Sequence, residues 1–222
     1  ATSDHGDHPA SRSALQPTRA DPRAVSPLIV LPAAGASRRM TGRDKLLETI
    51  EGIPLLRRQA LAALTSGCPV AVMLPTGSDA RRAAVSDMPI HVELVPDAEE
   101  GIAASLRRAA ALLAKDQPLG LLLPDVPGIT GADVCTVLEA FRDAESNRPV
   151  RATDTGNRPG TPLFLPYRIA KQFAELTGDT GGRSILAEEN VELVRFPDDR
   201  ATVDLDTPEA WRAWRAATGW LE

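Results

Sequence analysis

From Leu28 onward the chain alternates short aliphatic runs with longer stretches whose apolar residues recur at helical spacing. Leu28–Ala33 (LIVLPA), Val70–Leu74 (VAVML) and Leu119–Leu123 (LGLLL) are dense in aliphatic residues, the pattern of strands buried on both faces of a sheet, and Val92–Val95 is a shorter strand candidate. Pro54–Thr65, Ile102–Lys115 and Gly131–Ala144 each carry one apolar stripe beside a charged face, which predicts helices. Further strands are expected at Val150–Thr153, Pro162–Leu165, Val191–Phe196 and Thr202–Leu205, and further helices near Tyr167–Leu176 and Pro208–Ala217. Strands spaced by helices describe an α/β fold with a mostly parallel central sheet flanked by crossover helices. No linker-like composition separates the two halves, so residues 28–222 read as a single domain, with Leu61 and Leu64 as core residues and Trp211, Trp214 and Trp220 as core or interface packing.

Residues 1–27 mix Asp, Arg, Ser, Pro and Ala without either periodicity and read as a flexible leader. The leader has no apolar core for secretion, and its aspartates disagree with an organelle transit peptide. Composition narrows the field further. Of 222 residues, 43% are hydrophobic and 25% charged, the balance of a globular chain. The formal charge of -5 gives no global positive field, so nucleic acid is not an expected partner. No apolar run approaches the ~20 residues of a membrane helix, and no membrane partner is expected. Cys68 and Cys135 stand apart without a paired-cysteine motif, which fits a reducing cytoplasm. His91 is the one histidine in the body of the chain, an argument against histidine-based catalysis.

The segment with most chemical content follows the first strand. Ala33, Ala34, Gly35, Ala36 and Ser37 are small enough for their backbone N–H groups to approach an anion, and Arg38, Arg39, Arg43 and Lys45 supply positive charge around it. A loop at the carboxyl end of a parallel strand is where such sheets bind ligands, and a triphosphate is the expected guest. Lysine occurs at only three positions, 45, 115 and 171, so its presence in an arginine-rich loop points to a use for a compact ammonium. Six residues separate Gly35 from Gly42 and Leu46 follows Lys45, which excludes a P-loop; Gly35-Ala36-Ser37 lacks the second glycine of a dinucleotide fingerprint.

Pro32-Ala33-Ala34-Gly35-Ala36-Ser37-Arg38-Arg39-Met40, then Lys45-Leu46-Leu47 and Gly52-Ile53-Pro54-Leu55-Leu56, resemble the N-terminal signature of MobA-like nucleotidyltransferases. Later segments are similar in order: Pro96-Asp97 with Gly101 and Ser105, Leu123-Pro124-Asp125-Val126-Pro127, Arg158-Pro159-Gly160-Thr161-Pro162, Gly178 to Arg183, and Asp204-Leu205-Asp206-Thr207-Pro208-Glu209. Ala-Ala-Gly in the first loop and the terminal Asp-Leu-Asp-Thr-Pro resemble the molybdopterin cytidylyltransferase branch more than the guanylyl-transferring one.

The resemblance implies a Rossmann-like nucleotidyltransferase fold and Mg²⁺-dependent transfer of CMP from CTP to molybdopterin, with pyrophosphate released. Such transfer crowds negative charge, so it needs electrostatic neutralisation and alignment more than a covalent nucleophile. The implied catalytic residues are Arg39, Lys45 and Asp125. Ala33, Ala34, Gly35, Ser37, Arg38 and Lys45 would bind nucleotide; Gly101, Ser105, Thr161 and Arg183 would face the acceptor. Asp125 and Asp206 would hold the metal, with Asp204 an alternative to Asp206. A molybdoenzyme or its chaperone is the implied downstream partner. Thr161 and Pro124 depart from the family's frequent histidine and its glycine or histidine, and both bear on the acceptor's identity.

Structural readings compete at several of these positions. Asp125 between prolines could shape a turn, and Asp206-Thr207-Pro208-Glu209 could be a helix start with Asp206 as its cap. Gly178–Ser184 could be a loop without a ligand. The rival functions are guanylyl or other nucleotidyl transfer to a different phosphate acceptor, and a non-catalytic protein that binds and delivers nucleotide or cofactor.

Overall fold

The computed structural model describes residues 25–40, 42–178 and 181–220. Most of the expected leader, Thr41, Asp179 and Thr180 lie outside that description, as does the side chain of Arg38. The central sheet is built from β1 (Leu28–Pro32), β4 (Val70–Pro75), β5 (His91–Val95), β6 (Leu119–Leu121), β7 (Val150–Thr153), β8 (Pro159–Leu165) and β9 (Glu192–Arg195). Its order is β5-β4-β1-β6-β8-β7-β9, and β8 runs antiparallel to both neighbours in an otherwise parallel sheet. A small hairpin pairs β2 (Thr49–Ile50) with β3 (Ile53–Pro54).

Alternation along β1 shows why a continuous aliphatic run was needed. Ile29 and Leu31 enter the hydrophobic cluster on one face of the sheet, with Phe141, Phe164 and Trp211, while Leu28 and Val30 enter the cluster on the other, with Leu119 and Phe173. The helices cover both faces: α1 (Leu55–Leu64), α2 (Asp79–Ala84), α3 (Ile102–Leu112), α4 (Gly131–Asp143), α5 (Tyr167–Ala170), α6 (Arg183–Leu186) and α7 (Pro208–Thr218). Among the described residues no helix is long and apolar enough to cross a membrane.

Three expectations are corrected. Thr202–Leu205 is not a strand; the segment carries one backbone bond to the chain beside it, Leu205 N–H to the Asp125 carbonyl at 3.2 Å, and otherwise runs as an irregular connection. The expected helix near Tyr167–Leu176 splits into α5 and a 3₁₀ segment, Lys171–Glu175. Leu61 is not a core residue: it lies 43% exposed on the outer side of α1, whereas Leu64 packs against the core. Helix α2 had no counterpart in the hydrophobic pattern.

The connectivity fixes where a ligand can sit. From β1 the chain moves outward through β4 to β5, then returns to place β6 on the other side of β1. The crevice beyond the carboxyl ends of β1 and β6 is the switch point at which open α/β sheets bind ligands.

Candidate functional site

Loop 33–37 leaves β1 at this switch point. Ala33 is fully buried and its N–H donates to the Met73 carbonyl at 3.0 Å, while Gly35 and Ala36 are exposed. Ser37 sits at a positive φ of 48°, and a short 3₁₀ turn, Arg38–Met40, follows. The loop is braced from outside by Arg81 of α2, which is 5% exposed. Its guanidinium donates to both Asp44 carboxylate oxygens, at 2.6 and 2.8 Å, to the Ala33 carbonyl at 2.6 Å and to Ser37 Oγ at 3.2 Å. Burial alone would raise the Asp44 pKa, but Arg81, Leu46 N–H and Ser37 together hold it below the ordinary aspartate value. Sequence reasoning missed Arg81 because α2 was missed.

Lys45, half-buried behind this loop, projects toward two carboxylates from distant parts of the chain. Its Nζ lies 2.6 Å from Asp125 Oδ2 and 2.6 Å from Asp206 Oδ1. Arg39 Nη2 reaches Asp206 Oδ2 at 2.5 Å from an exposed position. Burial opposes charge on Lys45, yet Asp125 and Asp206 outweigh it and raise the Lys45 pKa. Asp206 is likewise held below its usual range against burial, by Lys45 and then Arg39. Asp204 shifts upward, through burial first and the neighbouring Asp206 charge second. Asp125, Asp204 and Asp206 each offer an oxygen within 4.8 Å of the others. Asp125 thus has a cationic partner and two acidic neighbours, more than a turn requires.

The competition at Asp206 is resolved by its neighbour. Thr207 is the N-cap of α7: its side chain accepts from the Ala210 N–H at 3.2 Å, with Pro208 at the first helical position. Asp206, one residue earlier, faces Lys45 instead. Arg43 does not join this cluster; it pairs with Glu48 at 2.7 Å.

The expected acceptor residues divide. Thr161 and Arg183 line a cavity of about 500 Å³ on the β6–β8–β7 side of the sheet. Thr161, 1% exposed, also clasps β6 to β8 through the Leu123 N–H at 3.0 Å and the Leu121 carbonyl at 3.2 Å. Ser105 is 2% exposed among the packed residues of α3 and does not line the cavity; Gly101 turns the chain into α3 with φ 92° and ψ −159°, a conformation essentially restricted to glycine. Arg151 lines the same cavity and was not singled out in the sequence, where nothing in Val-Arg-Ala-Thr tells a cavity-lining arginine from an exposed one.

Residues 29–193 match the MobA-like NTP transferase domain. Nicotine blue oxidoreductase from Paenarthrobacter nicotinovorans is 26% identical over 187 residues, covering 81% of this chain and 92% of the relative. Rv0371c from Mycobacterium tuberculosis H37Rv superposes with a TM-score of 0.74 at 24% identity, covering 86% of this chain and 98% of that one. Its manganese complex gives 0.70 at 23% identity, with 85% and 97% covered. CMP:2-keto-3-deoxy-manno-octonic acid synthetase complexed with CTP gives 0.69 at 17% identity, with 87% and 99% covered. These solved structures share the fold. With three quarters of its length matched to the family, and with a cationic loop facing clustered carboxylates at the switch point, the chain belongs to the MobA-like NTP transferases and is a nucleotidyltransferase.

Proposed function

We propose that this nucleotidyltransferase transfers CMP from CTP to a phosphate of molybdopterin, the organic part of the molybdenum cofactor, releasing pyrophosphate. The observation that carries the reading is the meeting of Lys45 with Asp125 and Asp206 at the end of the loop that follows β1. The terminal Asp-Leu-Asp-Thr-Pro and the Ala-Ala-Gly loop favour cytidylyl transfer and a molybdopterin acceptor within the family. A neighbour of the same fold is solved with CTP.

The acceptor's phosphate is already an anionic nucleophile, so no general base is required, and the placement of His91 on the edge strand β5 is no obstacle. What the reaction demands is neutralisation where charge accumulates. The exposed backbone of Gly35 and Ala36 and the side chains of Arg39 and Lys45 would receive the triphosphate, its oxygens competing with Asp125 and Asp206 for the Lys45 ammonium. As pyrophosphate leaves, the same ammonium would stabilise it.

Three carboxylates within reach of one another form a hard oxygen donor set, which fits a divalent cation such as Mg²⁺. Asp125 and Asp206 would hold it, with Asp204 close enough to contribute. Bound there, the cation would polarise phosphoryl oxygens as a Lewis acid. A solved neighbour contains manganese, in keeping with a divalent site in this fold.

The test is pyrophosphate release with purified molybdenum cofactor and CTP, GTP or ATP compared side by side in Mg²⁺. Turnover should be fastest with CTP. Faster turnover with GTP would move the chain to guanylyl transfer, and turnover only with another acceptor would overturn the molybdopterin assignment.

A further inference from the structure

The cavity lined by Thr161 and Arg183 has an unbalanced lining. Its walls include Ile102, Leu121, Leu123 and Phe173, and its charged members are Arg151 and Arg183. No aspartate or glutamate lines it among the described residues. Arg151 donates from Nε to the Gly160 carbonyl at 2.7 Å, which fixes the plane of the guanidinium and leaves its terminal nitrogens without a protein partner among the described residues. Burial first, and the Arg183 charge second, disfavour the cationic form of Arg151, although an arginine stays protonated. Other partly buried arginines in this molecule meet carboxylates: Arg81 meets Asp44, Arg107 meets Asp97 and Arg200 meets Asp133. Arg151 meets a carbonyl oxygen and a like charge.

Two guanidiniums at an apolar cavity call for an anion, because a planar fork of donors binds phosphate oxygens in pairs and the low polarity around it strengthens that attraction. The apolar walls call for a body that water solvates poorly. Leu123 in the wall stands two residues before Asp125, a chain reach of at most about 7 Å, so a molecule seated here would have its phosphate within reach of the carboxylate cluster. We propose that Arg151 is a specificity-determining residue for the acceptor. With Arg183 it clamps the phosphate of a ring-bearing phosphate monoester whose apolar body fills the cavity. The clamp selects such esters over the neutral alcohol of the same body and over inorganic phosphate. The role of the bound molecule as acceptor rests on the transfer reaction proposed above; its binding does not.

Calorimetric titration of the full chain with 1-naphthyl phosphate, 1-naphthol and inorganic phosphate, without nucleotide or metal, separates the contributions. The ester should bind at least about tenfold tighter than either of the others, and Arg151→Gln should weaken it by at least about tenfold. Arg151→Lys should fall between, and neither variant should change CTP binding or the affinity for 1-naphthol. If Arg151→Gln unfolds, Arg183→Gln, on the exposed face of α6, carries the same expectation. Equal affinity for ester and alcohol, or ester binding indifferent to loss of the guanidinium, would overturn the clamp. Tight, arginine-dependent ester binding with no pyrophosphate release from any nucleotide would sustain the clamp and defeat the transfer reading. Release with molybdenum cofactor but no ester binding would do the reverse.

Discussion

Arg81 holds Asp44 through two near-parallel N–H···O bonds, Nε to Oδ2 at 2.6 Å and Nη2 to Oδ1 at 2.8 Å, and this fork sets the shape of the loop that would receive the triphosphate. The same guanidinium holds the Ala33 carbonyl and the Ser37 hydroxyl, so one buried side chain spans both ends of the loop. Arg81→Met should therefore cost about 1.5–3 kcal/mol in a urea titration and raise the KM for CTP by about tenfold or more. Arg81→Lys keeps the charge without the fork and should recover part of the stability but less of the CTP affinity. Unchanged CTP affinity in the methionine variant would show that the loop keeps its shape without Arg81.

The Lys45 ammonium and a divalent cation compete for the same carboxylates. Asp125→Ala should abolish transfer with little effect on the melting temperature, since Asp125 is part-exposed and among the described residues its side chain bonds only to Lys45. Lys45→Met leaves Asp125, Asp204 and Asp206 without their central cation; it should lower kcat by roughly 10²–10³ and lower the melting temperature in chelator. Added Mg²⁺ should raise the melting temperature more in that variant than in the wild-type chain, because the ammonium no longer competes. Equal stabilisation by Mg²⁺ in both would place the cation elsewhere.

The parts of this site that were legible in the sequence are those whose pattern has one physical cause. Unbroken aliphatic runs located β1, β4 and β6, and the loop after β1 followed from them. Lys45, Asp125 and Asp206 were legible through residue type and motif, but no periodicity says that segments so far apart in sequence meet. Helix α2 was illegible because Asp-Ala-Arg-Arg-Ala-Ala has only alanines for an apolar face, and its buried member is an arginine. Thr202–Leu205 was expected to be a strand, yet this stretch is held by the Asp125 carbonyl and the turn before it. Arg151 shows the converse: Val-Arg-Ala-Thr is a strand as expected, but which face of β7 meets solvent and which meets a cavity depends on the later arrival of α6.

Asp154 makes stability depend on acid. Its carboxylate accepts from the Gly156 and Arg158 N–H groups at 2.8 and 2.9 Å, from Arg158 Nε at 2.5 Å and from Thr202 Oγ1 at 2.9 Å, joining the β7–β8 turn to the connection that leads to Asp206. Burial alone would raise its pKa, but these donors outweigh it and lower the value from 3.8 to about 2. A depressed carboxylate contributes stability above its unfolded pKa and loses it as pH falls through the folded value. Asp154→Asn should thus be less stable than the wild type near neutral pH, and the gap in denaturation midpoint should close between about pH 4 and about pH 2. A gap that stayed constant over that range would assign the effect to packing.

Gly160 lines the cavity, accepts from Arg151 and packs against the Asp199–Ala201 turn that precedes Asp204 and Asp206. A Cβ there would lie 2.1 Å from the Ala201 carbonyl oxygen and 2.6 Å from the carbonyl carbon, and these backbone atoms cannot rotate away as a side chain could. Its own carbonyl accepts from Arg151 Nε at 2.7 Å. Gly160→Ala must push β8 away from the Asp199–Ala201 turn, so it should destabilise by about 1–3 kcal/mol. The displaced turn leads to Asp204 and Asp206, so transfer should fall even below the denaturation range, where the variant is folded. Gly35 is the contrasting case: a Cβ there meets nothing within 4 Å, so Gly35→Ala should leave the denaturation midpoint unchanged and weaken CTP binding alone, by occupying the space a phosphate needs. Denaturation curves and CTP titrations of the two variants make the comparison; a Gly35→Ala variant that binds CTP normally would move the triphosphate off this loop.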